Sequence, residues 1–206
     1  MSSRFFWGVV GLICLAAAFA GYRLAGRPDN LPRPPAYGTW LPHARTLEPF
    51  HLTDSGGHPF TRADLKGHIT LVYFGFTHCP DECPDTLAML SRVRRAARLP
   101  RLEVLFVSID PQRDTPAVMA QYLRQFDPRF IGLTGDAAQI DGLARSLGVD
   151  TGAIRLPGGG YTFEHTLAVF LFDADAREAA VFTPPFQAAR LASALRGMAP
   201  RLLATP

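Results

Sequence analysis

The chain has 206 residues, and 48% of them are hydrophobic, which is enough for one compact domain with a core and a further segment outside it. Its net charge of +3 comes from 20 arginines and a single lysine against 18 acidic residues. Because the arginines are spread over several predicted helices, they indicate solvated helix faces, and we expect no nucleic-acid partner.

The first predicted element is an uncharged run from Phe5 to Tyr22. As a helix, its 18 residues would measure about 27 Å at about 1.5 Å each, close to the thickness of the hydrocarbon core of a bilayer. We therefore predict a single N-terminal transmembrane helix that anchors the chain, within residues 1–26. A signal peptide is the alternative, because the letters A-F-A before Gly21 resemble a small-x-small cleavage site.

Prolines dominate the next segment, residues 27–46, where they occupy positions 28, 32, 34, 35 and 42. This composition predicts an extended tether that holds the following domain away from the bilayer. The domain itself is predicted to cover residues 47–206. Its small N-terminal strands, with a turn at 54–57, precede a central strand.

The central strand is predicted from Ile69 to Phe76, a run that is apolar on both faces except for one threonine, as in strands covered on both sides. Cys79 and Cys83 follow at its exit. Pro84 and Asp85 predict the first turn of a helix, where the helix dipole favours a thiolate. Four residues apart in or entering a helix, the two sulfurs can reach one metal ion or each other.

Free cysteines also occur as small core hydrophobes, so the pair could be structural. The flanking residues Pro80, Asp81 and Glu82 instead indicate a polar turn outside the core. The spacing leaves both a soft-metal site and a redox dithiol open, because the common redox motif has two intervening residues and this one has three. The third cysteine, Cys14, lies in the predicted membrane span and cannot join the pair.

After the two cysteines, apolar helical stripes alternate with short apolar runs. In chain order these are a helix with Leu87, Leu90, Val93 and Ala97, a strand at 104–109, a helix from Pro116, a strand at 131–134 and a helix with Ile140, Leu143 and Leu147. We expect Asp136 and Gln139 to form a capping box for the last of these helices. The alternation predicts a right-handed parallel α/β unit.

Residues 150–164, which include Pro157 and the three following glycines, are predicted to be an irregular loop, either functional or disordered. The loop ends at His165, immediately before an apolar strand at 167–172. A hairpin, a strand at 179–182 and a closing helix complete the chain. A lone histidine beside a strand is usually structural, so position alone does not assign a role to His165.

Three stretches resemble the Sco/SenC family. They are F-G-F-T-H-C-P-D-E-C-P-D-T-L at 74–87, V-S-I-D-P-Q-R-D-T-P at 107–116 and F-E-H-T-L-A-V-F-L-F-D at 163–173. The resemblance implies an α/β fold, a thioredoxin-like sandwich with an N-terminal extension and an inserted strand-helix pair at 130–148. One departure is Glu164, where the family pattern has aspartate, and the charge is kept.

By this resemblance the protein is a copper-binding chaperone, not an enzyme, that delivers copper to the copper A centre of cytochrome c oxidase during assembly. The resemblance implies one copper ion per domain, Cu(I) or Cu(II), with Cys79, Cys83 and His165 as its ligands. The expected partners are the oxidase subunit that carries the copper A site, other copper chaperones or thiol reductants, and the membrane. The expected location is the inner (cytoplasmic) membrane, in a single pass, with the C-terminal domain on the periplasmic side.

Ligand chemistry agrees with this interpretation, because two thiolates and one imidazole suit copper, whereas zinc would need a fourth ligand. His78, Asp81 and Glu164 are expected to support the ligands without binding the metal. In an oxidising compartment Cys79 and Cys83 would form a redox disulfide, which cannot bind copper.

The alternative function is therefore a thiol-disulfide reductase that maintains the cysteines of the oxidase copper site. Thioredoxin-like oxidoreductases typically carry a cis-proline facing their cysteines, and the absence of a proline next to His165 favours metal binding. A peroxidase would need an activated cysteine but would have no use for His165, and a passive structural domain would leave the paired thiols unexplained.

Overall fold

The computed structural model describes residues 34–204, which form ten strands, four α-helices and a 3-10 turn at Arg62–Leu65. The strands are β1 (Thr39–Thr46), β2 (His51–Asp54), β3 (Pro59–Thr61), β4 (Ile69–Gly75), β5 (Leu102–Ser108), β6 (Ile131–Thr134), β7 (Thr151–Arg155), β8 (Tyr161–His165), β9 (Val169–Phe172) and β10 (Arg177–Phe182). The helices are α1 (Glu82–Ala97), α2 (Pro116–Leu123), α3 (Ala137–Ser146) and α4 (Ala188–Leu202).

Eight of these strands form one mixed sheet in the order β1-β10-β9-β4-β5-β6-β2-β3. Strands β4, β5 and β6 run parallel, and β9 pairs antiparallel with the other edge of β4. All seven residues of β4 are buried, which explains why its sequence is apolar on both faces. The predicted central strand is thus central in the structure.

Helix α1 buries the apolar stripe that the sequence predicted, Leu87, Leu90, Val93 and Ala97. The helix ends at Ala97 because Arg98 takes a left-handed conformation, with φ of 52°, and Pro100 soon follows. Helix α1 packs beside α4, and the Arg196 guanidinium donates a hydrogen bond to the carbonyl of Ala96 at 2.7 Å. The last turn of α1 is thereby attached to α4, and its first turn, with Cys83, lies at the exit of β4.

The predicted insertion is present as strand β6 and helix α3. Asp136 caps α3 by accepting a hydrogen bond from the amide of Ala138 at 2.9 Å. The other half of the expected capping box is absent, because the Gln139 side chain accepts from the amide of His51 at 3.2 Å instead. A tertiary contact with β2 therefore replaces the local one that the sequence suggested.

Two segments differ from the expectation. Residues 39–46, which the proline content placed in the tether, form β1 and pair antiparallel with β10. Residues 151–165, expected to be irregular, form a hairpin in which β7 and β8 pair with each other in a separate two-stranded sheet. Gly159 and Gly160, with φ of 87° and 81°, supply the turn of that hairpin.

The predicted membrane anchor and most of the predicted tether lie outside the described residues. Within residues 34–204, no helix combines the length and the apolar character needed to cross a membrane.

Candidate metal centre

The two predicted thiols lie in and beside the first turn of α1. Cys79 is 8% exposed and Cys83, the second residue of the helix, is fully buried, and both are free thiols. The amide of Cys83 donates a hydrogen bond to the Cys79 sulfur at 3.4 Å. The polar neighbours wrongly suggested an exposed turn, because the chain folds the sulfurs inward while Pro80, Asp81 and Glu82 face solvent.

His165, the last residue of β8, is brought to the same place. Its Nε2 lies 3.8 Å from the Cys83 sulfur, and its Nδ1 lies 3.2 Å from the carbonyl oxygen of Thr166. Because a carbonyl can only accept, Nδ1 carries the proton and Nε2 presents its lone pair to the sulfur. Burial also lowers the pKa of His165, which favours the neutral imidazole that binds metals.

Aromatic rings hold the imidazole from two sides. The Tyr73 ring lies 6.0 Å from the His165 ring, and the Phe76 ring lies 6.3 Å from it, both in edge-on geometry. Phe76 also contacts the ring of Phe163, two residues before His165 on β8. The histidine is therefore fixed by the end of β4 as well as by its own strand.

The floor of the site is the end of β4, formed by Tyr73 and Gly75. The Tyr73 hydroxyl, which is buried, donates a hydrogen bond to the Cys83 sulfur at 3.7 Å. A Cβ atom at Gly75 would lie 2.7 Å from that sulfur and 2.8 Å from the ring of Phe106. The Cys83 side chain fits against β4 only because residue 75 has no side chain.

The pKa of Cys83 is raised, whereas its position at the start of a helix alone predicted a lowered pKa. Burial raises the pKa of the Cys83 thiol to about 12, and this effect outweighs the favourable helix N-terminus. The Cys83 pKa is also lowered by its hydrogen bonds to the backbone of Phe76 and to Tyr73. In the metal-free protein the sulfur is consequently a thiol, and a bound cation would take the place of its proton.

The residues expected to support the ligands have different roles. The Glu82 carboxylate lies 3.9 Å from the Cys79 sulfur, whereas Asp81 and Glu164 are exposed. His78 is half-exposed, with Nδ1 3.1 Å from the Thr77 hydroxyl. Glu82, which the sequence analysis did not select, is thus the acidic residue in contact with a thiol.

A buried aspartate that sequence reasoning missed ties the cysteine turn to the second motif. The carboxylate of Asp114 accepts hydrogen bonds from the Thr77 amide at 3.0 Å, the Thr77 hydroxyl at 2.6 Å and the Ser108 hydroxyl at 2.6 Å. The segment from Thr77 to Cys79 is thereby attached to the end of β5. The only available signal was the motif V-S-I-D-P-Q-R-D-T-P itself.

Two further residues of that motif hold the hairpin. Tyr161, at the start of β8, donates its hydroxyl to the Asp110 carboxylate at 2.9 Å. The Arg113 guanidinium lies over the Tyr161 ring at 4.1 Å, donates to the Tyr161 carbonyl at 3.3 Å and pairs with Asp110. The motif at 107–116 therefore contacts both the turn with the thiols and the strand with the histidine.

Asp110 and Asp114 could, together with His78, form a second metal site. Donor atoms of His78, Asp110 and Asp114 lie within 4.8 Å of one another, the one such set of three within residues 34–204. The carboxylate oxygens are occupied by the hydrogen bonds of Thr77, Ser108, Tyr161 and Arg113. The set is better explained as the bracing of the cysteine turn than as a cation site.

Comparison with known proteins gives consistent matches. Residues 40–200 match the family model SCO1/SenC. The mitochondrial protein SCO2 homolog of Bos taurus is 41% identical over 148 residues, covering 69% of this chain and 54% of that protein. The chain spans about half the length of the curated relatives it matches.

Two solved structures match this chain over almost the whole of their own length. ScoI of Bradyrhizobium japonicum with copper bound is 40% identical, with a TM-score of 0.68, and the match covers 73% of this chain and 98% of that one. ScoI of Arabidopsis thaliana with copper bound is 29% identical, with a TM-score of 0.71, covering 75% and 98%. These similarities confirm the predicted thioredoxin-like α/β fold.

Proposed function

Because the chain belongs to the SCO1/SenC family, we propose that it binds copper and delivers it to the copper A centre of cytochrome c oxidase during assembly of that enzyme. The observation that carries the proposal is the 3.8 Å separation between the Cys83 sulfur and His165 Nε2, with the Cys79 sulfur 3.4 Å from the Cys83 amide. Two similar proteins whose structures contain copper support the choice of metal.

The donor types of Cys79, Cys83 and His165 suit copper, but in the metal-free chain the three donor atoms do not all lie within 4.8 Å of one another, so copper binding would bring them closer. Bonds of about 2.0–2.3 Å from a first-row metal to an imidazole nitrogen and a thiolate sulfur, roughly 120° apart, separate the two donor atoms by about 3.8 Å. Cys83 and His165 already have this separation. Thiolate sulfurs stabilise Cu(I) and imidazole suits either oxidation state, so the set can hold one copper ion per domain.

Burial of the site would protect bound copper from solvent and would also slow copper binding. The Cys83 thiol is buried and its pKa is raised to about 12, so copper must displace a firmly bound proton. Cys79, which is slightly exposed, is the sulfur that an incoming donor meets first. Copper would then pass between proteins by exchange of ligands, beginning at Cys79.

The second candidate is reduction of the oxidase cysteines by Cys79 and Cys83. It is favoured by the position of both residues at the start of α1, where the amide of Cys83 contacts the Cys79 sulfur. The raised pKa of Cys83 and the burial of both sulfurs disfavour attack on a disulfide of another protein, because the thiolate is the nucleophile. We therefore rank delivery above reduction.

The proposed membrane anchor rests on the apolar N-terminal run, and the proposed periplasmic orientation rests on the family resemblance. Residues 1–26 would anchor the protein in the inner membrane, with the domain from 47 onward in the periplasm. Its partners there would be the oxidase subunit with the copper A site, other copper chaperones and thiol reductants. Labelling of an engineered cysteine at exposed Ala189 with a membrane-impermeant reagent in intact cells tests this orientation.

The test of function uses full-length protein in detergent, reduced and loaded with Cu(I). Wild type should retain one copper ion, the Cys79→Ser, Cys83→Ser double variant none, and His165→Ala should lose copper to a competing chelator. His51→Ala, a change at an exposed histidine on β2, is the control. Undiminished copper in the double variant would overturn the proposal.

The loaded protein is then mixed with the metal-free copper A domain of an oxidase, either reduced or oxidised. Appearance of the copper A absorption with the reduced domain supports delivery. Reduction of the oxidised domain by copper-free protein, without any copper transfer to the reduced one, would support the reductase instead.

A further inference from the structure

Tyr73 is the one residue of β4 that places a hydroxyl group beneath the candidate metal centre. The rest of the strand, apart from Thr70 and Gly75, is aliphatic or a phenylalanine, and Tyr73 itself is fully buried. Burial of a hydroxyl without a hydrogen-bond partner costs about 1–3 kcal/mol, and avoiding that cost requires a partner for Tyr73. A phenylalanine would fill the same volume without that requirement.

The hydroxyl donates to the Cys83 sulfur, at 3.7 Å, and the Thr86 side chain contacts the same hydroxyl. A neutral thiol is a weak acceptor, whereas a thiolate or a metal-bound sulfur carries negative charge and is a strong one. The hydrogen bond of Tyr73 therefore gains most when Cys83 has lost its proton. The Tyr73 ring also lies beside His165, at 6.0 Å, so this side chain touches two of the three proposed ligands.

We infer that Tyr73 is a positioning residue whose hydroxyl sets the electron density on the Cys83 sulfur, and with it the redox behaviour of the site. The inference rests on the proposed function and concerns the same centre. A hydrogen bond to a ligating cysteine sulfur draws charge from the sulfur and is one of the means by which proteins tune copper potentials. It also stabilises the reduced form relative to a Cys79–Cys83 disulfide, because a disulfide sulfur is a weaker acceptor than a thiol sulfur and would leave the buried Tyr73 hydroxyl closer to unsatisfied.

The chain offers a matched control in Tyr122. Its hydroxyl is also buried but has no hydrogen-bond partner within residues 34–204. Its ring packs on Phe106 at 6.0 Å, and the Tyr73 ring packs on the same Phe106 at 6.2 Å. Tyr122→Phe thus removes a hydroxyl from the same aromatic cluster without removing a bond to sulfur.

The first readout needs no copper. Equilibration of full-length protein in detergent with dithiothreitol moves two electrons and two protons to the Cys79–Cys83 disulfide, which breaks to two thiols as dithiothreitol closes to its cyclic form. Tyr73→Phe should shift this equilibrium three- to tenfold toward the protein disulfide, about 15–30 mV for a two-electron couple. Tyr122→Phe should match wild type.

The second readout is the spectrum of the Cu(II)-loaded protein. Tyr73→Phe should keep the wild-type copper stoichiometry but move the sulfur-to-copper charge-transfer band to lower energy and lower the copper potential. Tyr122→Phe should leave both unchanged. Equal bands and equal disulfide equilibria in wild type and Tyr73→Phe would overturn the inference, as would an equal shift in Tyr122→Phe.

A second variant covers the case in which Tyr73→Phe misfolds. 3-Fluorotyrosine introduced at position 73 makes the hydroxyl a stronger donor with little change in size, so both readouts should shift in the direction opposite to that expected for phenylalanine. A shift in the same direction would contradict the inference. Failure of wild type to bind copper would count against the proposed function alone, because the disulfide equilibrium is measured without metal.

Discussion

The Cys83 sulfur packs directly against the backbone of Gly75, where a Cβ atom would come within 2.7 Å of it. Gly75→Ala should therefore displace the sulfur and destabilise the protein by about 1–3 kcal/mol, the usual cost of overpacking. Copper affinity should fall at least tenfold in chelator competition. Gly197→Ala, in an open position on α4, is the control and should bind copper as wild type does. Equal affinity in both variants would contradict the close fit.

The stability of the metal-free protein should depend on pH through His165. Burial lowers its pKa in the folded state, so below its ordinary value of about 6.5 the unfolded chain binds a proton that the folded chain does not. Stability is therefore present above that pH and is lost as the pH falls, by at most about 1.4 kcal/mol per pH unit. Urea unfolding between pH 7.5 and 5 should show a shallower loss in His165→Gln than in wild type, and parallel curves would refute this assignment.

Tyr161→Phe should loosen the hairpin that carries His165. The change removes the hydrogen bond to Asp110 but keeps the ring beneath Arg113 and beside Phe163. We expect faster amide exchange across Thr162 to Thr166 and a three- to tenfold faster release of copper to a chelator, with unchanged stoichiometry. Tyr122→Phe is again the control, and wild-type exchange in Tyr161→Phe would show that the contact with Asp110 does not restrain the strand.

Oxidation should join Cys79 and Cys83 in a reversible disulfide that excludes copper. Mild oxidation of the full chain should remove two of its three titratable thiols, leaving Cys14. Because Cys83 is buried and its pKa is raised, the reaction should be slow at pH 7 and faster at higher pH. Thiol titration in denaturant and copper binding are the measurements, and three free thiols after oxidation would disprove the pairing.

Local patterns were sufficient to predict the elements around the site. The apolar run of β4, the stripe of α1 and the pair formed by β6 and α3 each have a periodicity that short segments reveal without tertiary information. The family motifs then placed Cys79, Cys83 and His165 in one site, and the structure brings Cys83 and His165 to 3.8 Å.

What could not be predicted depends on contacts between distant parts of the chain. Strand β1 exists because its residues pair with β10, more than 130 positions later, so Pro42 and the prolines that precede the strand were misleading. The glycines before Tyr161 indicated a loop, but only the register of Thr151 with His165 reveals a hairpin. The burial of Cys83 on α1, and hence its raised pKa, depends on Tyr73 and Gly75 of β4 and Phe106 of β5.

In the part of the chain that the structure describes, strands β7 and β8 form backbone hydrogen bonds only with each other, in a sheet separate from the central one. The two thiols instead lie at the end of β4 in the central sheet. Residues inserted at its turn, near Gly158, would leave the pairing of Thr151 with His165 intact. A longer turn is therefore compatible with an unchanged site. The surface at the tip of the hairpin can therefore vary, while Asp110, Arg113 and Asp114 keep the histidine strand and the turn with the two sulfurs in place.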